Sequence, residues 1–143
     1  MKTKITYPTK NDYNILKRKD PLLKMRKITD KEVIIAKDQN KIVGFLKFQY
    51  LWDDQPFMSL LKVNEKYQRK GIGTKLVKFW EKEMKKKKFD SVITSTQEDE
   101  EGQHFYRKLG YTDIGELSEI NDGPKELFLI KKICLNSKIS NKK

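Results

Sequence analysis

The sequence predicts an α/β (α+β) fold, with a mixed, mostly antiparallel sheet of about six to seven strands flanked by about four helices. Three observations predict it. Apolar runs of strand length recur from Lys4 to Ile133. Polar turns join strand pairs near both ends of the chain, as in antiparallel hairpins. In the middle, a strand ending at Val63, a glycine turn and a helical stretch precede a strand at Ser91; such a crossover requires parallel pairing if those strands are neighbours.

Lys4 to Tyr7 is a short first strand. Thr9 caps a helix, with Asp12 at capping-box spacing, and Asp20-Pro21 breaks it. A second short helix is expected from Leu22 to about Lys27. Val33 to Ala36 reads as a buried strand, Lys37 to Asn40 as a turn, and Ile42 to Tyr50 as a strand rich in β-branched and aromatic residues. Trp52 to Pro56 is a second turn and Phe57 to Val63 a fourth strand. From about Thr74 to Lys87, Leu76, Val77, Trp80 and Met84 share one helical face. Ser91 to Thr96 is a strand. Acidic Glu98 to Glu101 favour the start of a short helix through Phe105, Tyr106 and Leu109, which Gly110 closes in a left-handed conformation. Strands around Tyr111 to Leu117 and Glu126 to Ile133 flank the turn Asn121-Asp122-Gly123-Pro124. A single domain over 1–134 is expected, with 135–143 a flexible tail.

Composition narrows the classes of function. Of 143 residues, 36% are hydrophobic and 36% charged, which suits a small soluble protein. The net charge of +12 attracts anions of any kind, nucleic acid and phosphorylated cofactors included. Its one dense run, Lys85 to Lys88, falls at a helix end, where lysines oppose the dipole, so a solvated end is favoured over a nucleic-acid patch. One cysteine, Cys134, forms no internal disulfide, and no apolar signal core or spanning segment is visible; the expectation is a cytoplasmic protein with no membrane partner. One histidine and one cysteine make a metal site improbable.

The stretch Gln68-Arg69-Lys70-Gly71-Ile72-Gly73-Thr74 lies between a strand and a helix. Glycine lets backbone approach a ligand closely, and the helix then begins with unpaired N–H groups at its positive end, which is a site for an anion such as a diphosphate. The third glycine of a dinucleotide fingerprint is missing, as is a phosphate-loop motif. Taken alone, the turn is equally well a structural one.

Val63 to Leu76 resembles motif A of the GNAT superfamily of acyl-CoA-dependent N-acyltransferases, with Gln68, Gly71 and Gly73 filling its three positions. His104 to Tyr111 is similar to that family's aromatic-Tyr-x-x-x-Gly-aromatic block, one helix and one strand downstream. The resemblance covers Lys31 to Ile133 well and the first thirty residues more loosely. It implies acetyl-CoA (coenzyme A) as co-substrate, no metal, and an amine acceptor that is a small molecule or a peptide. It places the diphosphate on the backbone from Gln68 through Arg69, Lys70, Gly71, Ile72 and Gly73 to Thr74, and the pantetheine arm on the backbones of Leu61 and Val63. Arg69, Lys70 and Lys75 are either phosphate-side cations or solvated surface charges. In the family, strands splay to admit the thioester, a backbone N–H polarises its carbonyl, and the amine attacks directly. Tyr106 matches the tyrosine that protonates the departing thiolate; read without the resemblance it is a core aromatic on a helix face.

Asp99 stands where the family commonly has asparagine, which puts its coenzyme contact in doubt, and Gly102 where alanine is common. Asp53, Asp54, Glu65 and Asp99 are the candidate general bases beside a simple water chain; Asp53 and Asp54, in a turn, read as exposed. His104 reads as a helix-surface residue, Cys134 as a small hydrophobe buried in the last strand, and Trp52 and Trp80 as loop or core packing. The segment before Val33 is shorter than in many family members, which favours an open site and an extended or peptide acceptor. A basic nucleic-acid-binding module and a catalytically silent coenzyme A sensor are the alternatives, although no base-stacking motif accompanies the charge. The chain is expected to be a monomer or homodimer.

Overall fold

A computed structural model describes residues 2–119 and 122–134. Along them run β1 (Thr3–Thr6), a short 3-10 helix (Lys10–Asp12), α1 (Tyr13–Lys19), α2 (Met25–Thr29), β2 (Val33–Asp38), β3 (Lys41–Leu51) and β4 (Gln55–Val63). A second 3-10 helix (Glu65–Tyr67), α3 (Ile72–Lys86), β5 (Ser91–Gln97), α4 (Gly102–Lys108), β6 (Thr112–Leu117) and β7 (Glu126–Lys132) follow. The strands form a seven-stranded sheet in the order β1-β2-β3-β4-β5-β7-β6. β1–β2, β2–β3, β5–β7 and β6–β7 are antiparallel, and β4–β5 is parallel. The mixed, mostly antiparallel sheet and four α-helices expected from the sequence are therefore present. The expected tail, 135–143, and Asn121 of the last turn lie outside the described residues.

Three expectations need correction. The second helix is not Leu22 to Lys27. The Leu23 amide bonds back to the Asp20 carbonyl at 2.9 Å, which makes 20–23 a turn, and Lys24 is extended, so helix begins only at Met25. α3 starts two residues before Thr74, because Gly71 at φ +83 already ends the turn and its carbonyl accepts the first helical bond, from Lys75 N at 3.0 Å. Cys134 lies past the end of β7 and is half-buried, not a core residue of that strand.

Tertiary contacts divide the chain into two compact units. One holds the residues up to Gln49 with Leu60–Trp80; the other holds Tyr50–Ser59 with the chain from Glu81 on. In the first, β2 reads Val-Ile-Ile-Ala without alternation because both its faces are covered. Val33 and Ile35 pack in a cluster with Leu16, Leu23, Ile28 and Phe45. On the opposite face Ala36 pairs with Gly44, and a Cβ on Gly44 would stand 3.4 Å from Leu76 Cδ1 and 3.1 Å from the Lys62 carbonyl. Glycine at this strand position lets β4 and α3 approach closely. The Leu76, Val77, Trp80 and Met84 face predicted for α3 is fully buried, each side chain contributing about 1.5–3 kcal/mol where it leaves water. In the second unit Phe57 stacks on Phe128 with centroids 6.0 Å apart, and Val92 and Leu129 are fully buried.

Three shielded lysines of the first unit, Lys27, Lys37 and Lys47, are paired with carboxylates. Lys47 Nζ lies 2.6 Å from Asp20 Oδ2, with the Asp20 side chain only 8% exposed. Lys27 Nζ lies 2.8 Å from Glu32 Oε1. Asp20→Ala removes the nearest countercharge from a largely desolvated ammonium. It is expected to cost about 3 kcal/mol, the scale for breaking a buried pair, and is read as a lower urea midpoint. A loss below about 1 kcal/mol would mean that the pair behaves as a surface contact.

Candidate functional site

The chain leaves β4 at Val63 and must reverse to start α3. Asn64 N bonds the Val43 carbonyl at 2.8 Å, one helical turn follows, and the Gln68 side-chain amide donates to the Val63 carbonyl at 2.9 Å. Gln68 thus ties the turn to the strand end through its side chain. Two left-handed residues then complete the reversal, Arg69 at φ 63 and Gly71 at φ 83. Glycine takes that conformation freely, whereas arginine there costs roughly 1 kcal/mol. Nothing lies within 4 Å of the position a Gly71 Cβ would occupy, so the backbone at the turn is open to solvent. Ile72, 1% exposed, anchors the start of α3 in the core. The amides of Ile72, Gly73 and Thr74 occupy the first turn, which lacks intrahelical acceptors, at the positive end of a 15-residue helix. Gln68, Arg69, Lys70 and Gly71 are exposed, and Gly73 and Thr74 half-buried.

Leu61, Val63 and Gln68 line one groove of about 560 Å³, together with Lys19, Lys62 and Asn64. Glu65, exposed on the second 3-10 helix, also borders it. The strand end and the turn assigned to one ligand from the sequence are therefore contiguous.

Tyr106 belongs to the second unit, where β4 and β5 pair in parallel through Phe57 with Ile93 and Met58 with Thr94. Thr94 Oγ1 donates to the Met58 carbonyl at 3.1 Å. Tyr106 is 6% exposed and lies edge-on to Phe105 and Tyr111. Burial pushes its phenol up from 10.0 to about 12; a hydrogen bond with Thr94 opposes the shift and the Glu100 carboxylate adds to it. Tyr111, pushed up by burial and by Glu81, donates to Glu81 Oε2 at 2.8 Å, and Lys131 Nζ completes the trio 3.0 Å from Glu81 Oε1.

Asp99 is exposed in the turn after β5. The carboxylate fixed there is that of Glu100, whose Oε1 accepts from Thr96 Oγ1 and from Gln97 N, both at 3.1 Å. From the sequence Glu100 reads only as one of the acids at the helix start; its bond to the Gln97 amide ties it to the end of β5. Asp53 and Asp54 are exposed at the β3–β4 turn, His104 is exposed on α4, Trp52 is an exposed loop tip, and Lys85 to Lys88 are solvated. Among the described residues no group of three or more His, Cys, Asp or Glu could hold a metal ion, and no helix is long and apolar enough to cross a membrane.

Gly102 stands where a Cβ would lie 2.7 Å from Thr96 Oγ1. Alanine would gain helix propensity of about 1 kcal/mol. The clash with a buried, hydrogen-bonded threonine costs about 1–3 kcal/mol and is expected to win. Gly102→Ala should therefore lower the melting temperature, and adding Thr96→Ala should recover part of the loss; a stabilised single variant would contradict the packing. The raised phenol of Tyr106 gives a second expectation. Its folded form binds the proton more tightly than the unfolded chain, so its contribution is complete below pH 10 and is lost as pH rises toward about 12. Unfolding free energy should fall less steeply across that window in Tyr106→Phe than in the parent; equal slopes would refute the shift.

Residues 29–113, more than half of the chain, match the family model of the acetyltransferase (GNAT) domain. No curated protein sequence matches it significantly. Among solved structures the chain is similar to Ard1 from Thermoplasma volcanium, with TM-score 0.80, 18% identity, and 94% of this chain and 99% of that one covered. It is similar to a GNAT family acetyltransferase from Elizabethkingia anophelis with acetyl-CoA bound, with TM-score 0.75, 23% identity, and coverage of 91% and 97%. It is also similar to the ribosomal-protein-S18-alanine N-acetyltransferase from Escherichia coli, with TM-score 0.76, 14% identity, and coverage of 94% and 96%. At these identities the structures speak for the fold, and the matched domain speaks for the family: the chain belongs to the GNAT acetyltransferases.

Proposed function

We propose that this protein transfers the acetyl group of acetyl-CoA to a primary amine, on a small molecule or a peptide. The observation that carries the reading is the left-handed turn at Arg69 and Gly71, which leaves the backbone unobstructed just before α3, next to the groove that Leu61, Val63 and Gln68 line. A diphosphate fits there: the turn backbone is unobstructed, the helix end is positive, and Arg69 and Lys70 are exposed cations. The Leu61 and Val63 backbones, on the groove, suit an extended amide-bearing arm that adds to the strand. The E. anophelis structure with acetyl-CoA bound supports this cofactor.

Acetyl-CoA supplies an acyl group activated as a thioester. Transfer forms a C–N bond and breaks the C–S bond; the amine loses one proton and the sulfur takes one. Tyr106 is the donor to sulfur in this reading. A phenol held near 12 keeps its proton at neutral pH and so is in the donor form when the thiolate departs. The amine's proton leaves through water or through a carboxylate, for which the anchored Glu100 joins Asp53, Asp54, Asp99 and Glu65 on the groove as candidates. A peptide acceptor draws support from the S18-alanine acetyltransferase among the similar structures.

The test is thiol release from acetyl-CoA with a panel of amines and peptides. The parent should turn over at least one acceptor, and Tyr106→Phe should lower kcat by about 10²-fold or more while coenzyme A still raises the melting temperature. Unchanged turnover would remove Tyr106 from the chemistry. Absence of thiol release with every acceptor, together with salt-dependent retention on RNA or DNA, would favour a nucleic-acid-binding protein instead.

A further inference from the structure

We infer that Lys19 and Lys62 recognise an acidic group on the acceptor, so that the preferred amine carries a carboxylate or phosphate close to its nitrogen. The inference rests on the transferase reading and names the substrate class of the same groove.

Both lysines line that groove. Lys62 Nζ reaches the Lys19 carbonyl at the C-terminal end of α1, 3.5 Å away, and Lys19 Nζ donates to Asn64 Oδ1 at 3.1 Å. These acceptors are neutral oxygens. Among the described residues no carboxylate lies within ion-pair distance of either ammonium, whereas Lys27, Lys37 and Lys47 in the same unit are each paired with one. The crowding registers in Lys19, whose pKa is lowered by burial and then by the positive charges of Lys62 and Lys41. Cations held together beside an open groove, without a countercharge, form a place where an anion gains from both. Glu65 borders the groove as well, and two lysines against one carboxylate leave it net positive.

The cofactor does not supply that anion. Its arm beside Leu61 and Val63 is uncharged, its diphosphate is assigned to the turn at 68–74, and its ribose 3′-phosphate follows beyond the diphosphate, on the side away from the arm. Strand alternation adds a direction. Val63 Cγ2 lies against the Gly44–Leu76 side of the sheet, so Lys62 projects from the opposite face, where α1 contributes Lys19. An acid group at this point therefore belongs to the second substrate.

The experiment compares peptides that differ only in an acidic, amide or basic side chain next to the amine, read as kcat/KM by thiol release. The acidic form should exceed the amide by about tenfold, and the basic form should be poorest. In Lys19→Gln/Lys62→Gln the acid-to-amide ratio should fall to near one, in Lys19→Arg/Lys62→Arg it should persist, and both variants should retain the melting-temperature rise caused by coenzyme A. Equal rates for the acidic and amide peptides in the parent would overturn the inference. So would a Gln variant that keeps the ratio but loses the coenzyme A effect, since the anion would then be the cofactor's. Failure to acetylate any amine would sink the transferase reading itself, and this one with it.

Discussion

Everything in the proposed chemistry depends on how the backbone reverses between β4 and α3. A strand that delivers its chain directly into a helix must turn tightly, and here it does so with left-handed residues at 69 and 71. The reversal leaves the backbone at Gly71 unobstructed at the start of a long helix. Ile72 fixes the helix start by burial, and the Gln68 amide fixes the strand end by its bond to Val63. The strain at Arg69 is the local cost of that geometry. In the proposed reading, anion affinity arises from the positive start of α3, and the charges of Arg69 and Lys70 only add to it.

In the proposed transfer the proton donor is Tyr106 of the second unit, whose phenol burial keeps protonated at neutral pH. Tyr106 sits among Phe105 and Tyr111, with the Thr94 hydroxyl as its polar contact. Burial that would be mere packing for phenylalanine becomes, for a phenol, a shift that keeps the proton in place at neutral pH. Gly102 is part of the same arrangement, because a side chain there would collide with Thr96, whose hydroxyl helps to hold Glu100. The departure from the family's common alanine is thus a packing consequence of a threonine on β5.

Much of this was legible in the sequence because local rules and tertiary demands agreed. The α3 face, the crossover with parallel pairing and the left-handed Gly110 at φ 100 followed from periodicity and glycine placement. What was not legible depended on partners distant in sequence. The Lys47–Asp20 and Lys131–Glu81 pairs join residues whose approach only the folded chain creates. Leu22 to Lys27 misled because helix-forming residues there lose to a turn bond from Leu23 to Asp20. In the site, the glycine turn and Tyr106 were visible as motif positions. The Lys19–Lys62 rim was not, since 43 residues separate its members and no spacing rule links them.

The central claim is that the amides opening α3 hold a diphosphate. A crystal structure with acetyl-CoA tests it most directly. The account predicts phosphate oxygens within hydrogen-bond distance of the backbone N–H groups between Gln68 and Thr74, with the arm running along Leu61 and Val63. Coenzyme found elsewhere on the protein, or a turn at 68–74 whose amides face no ligand at saturating cofactor, would contradict it.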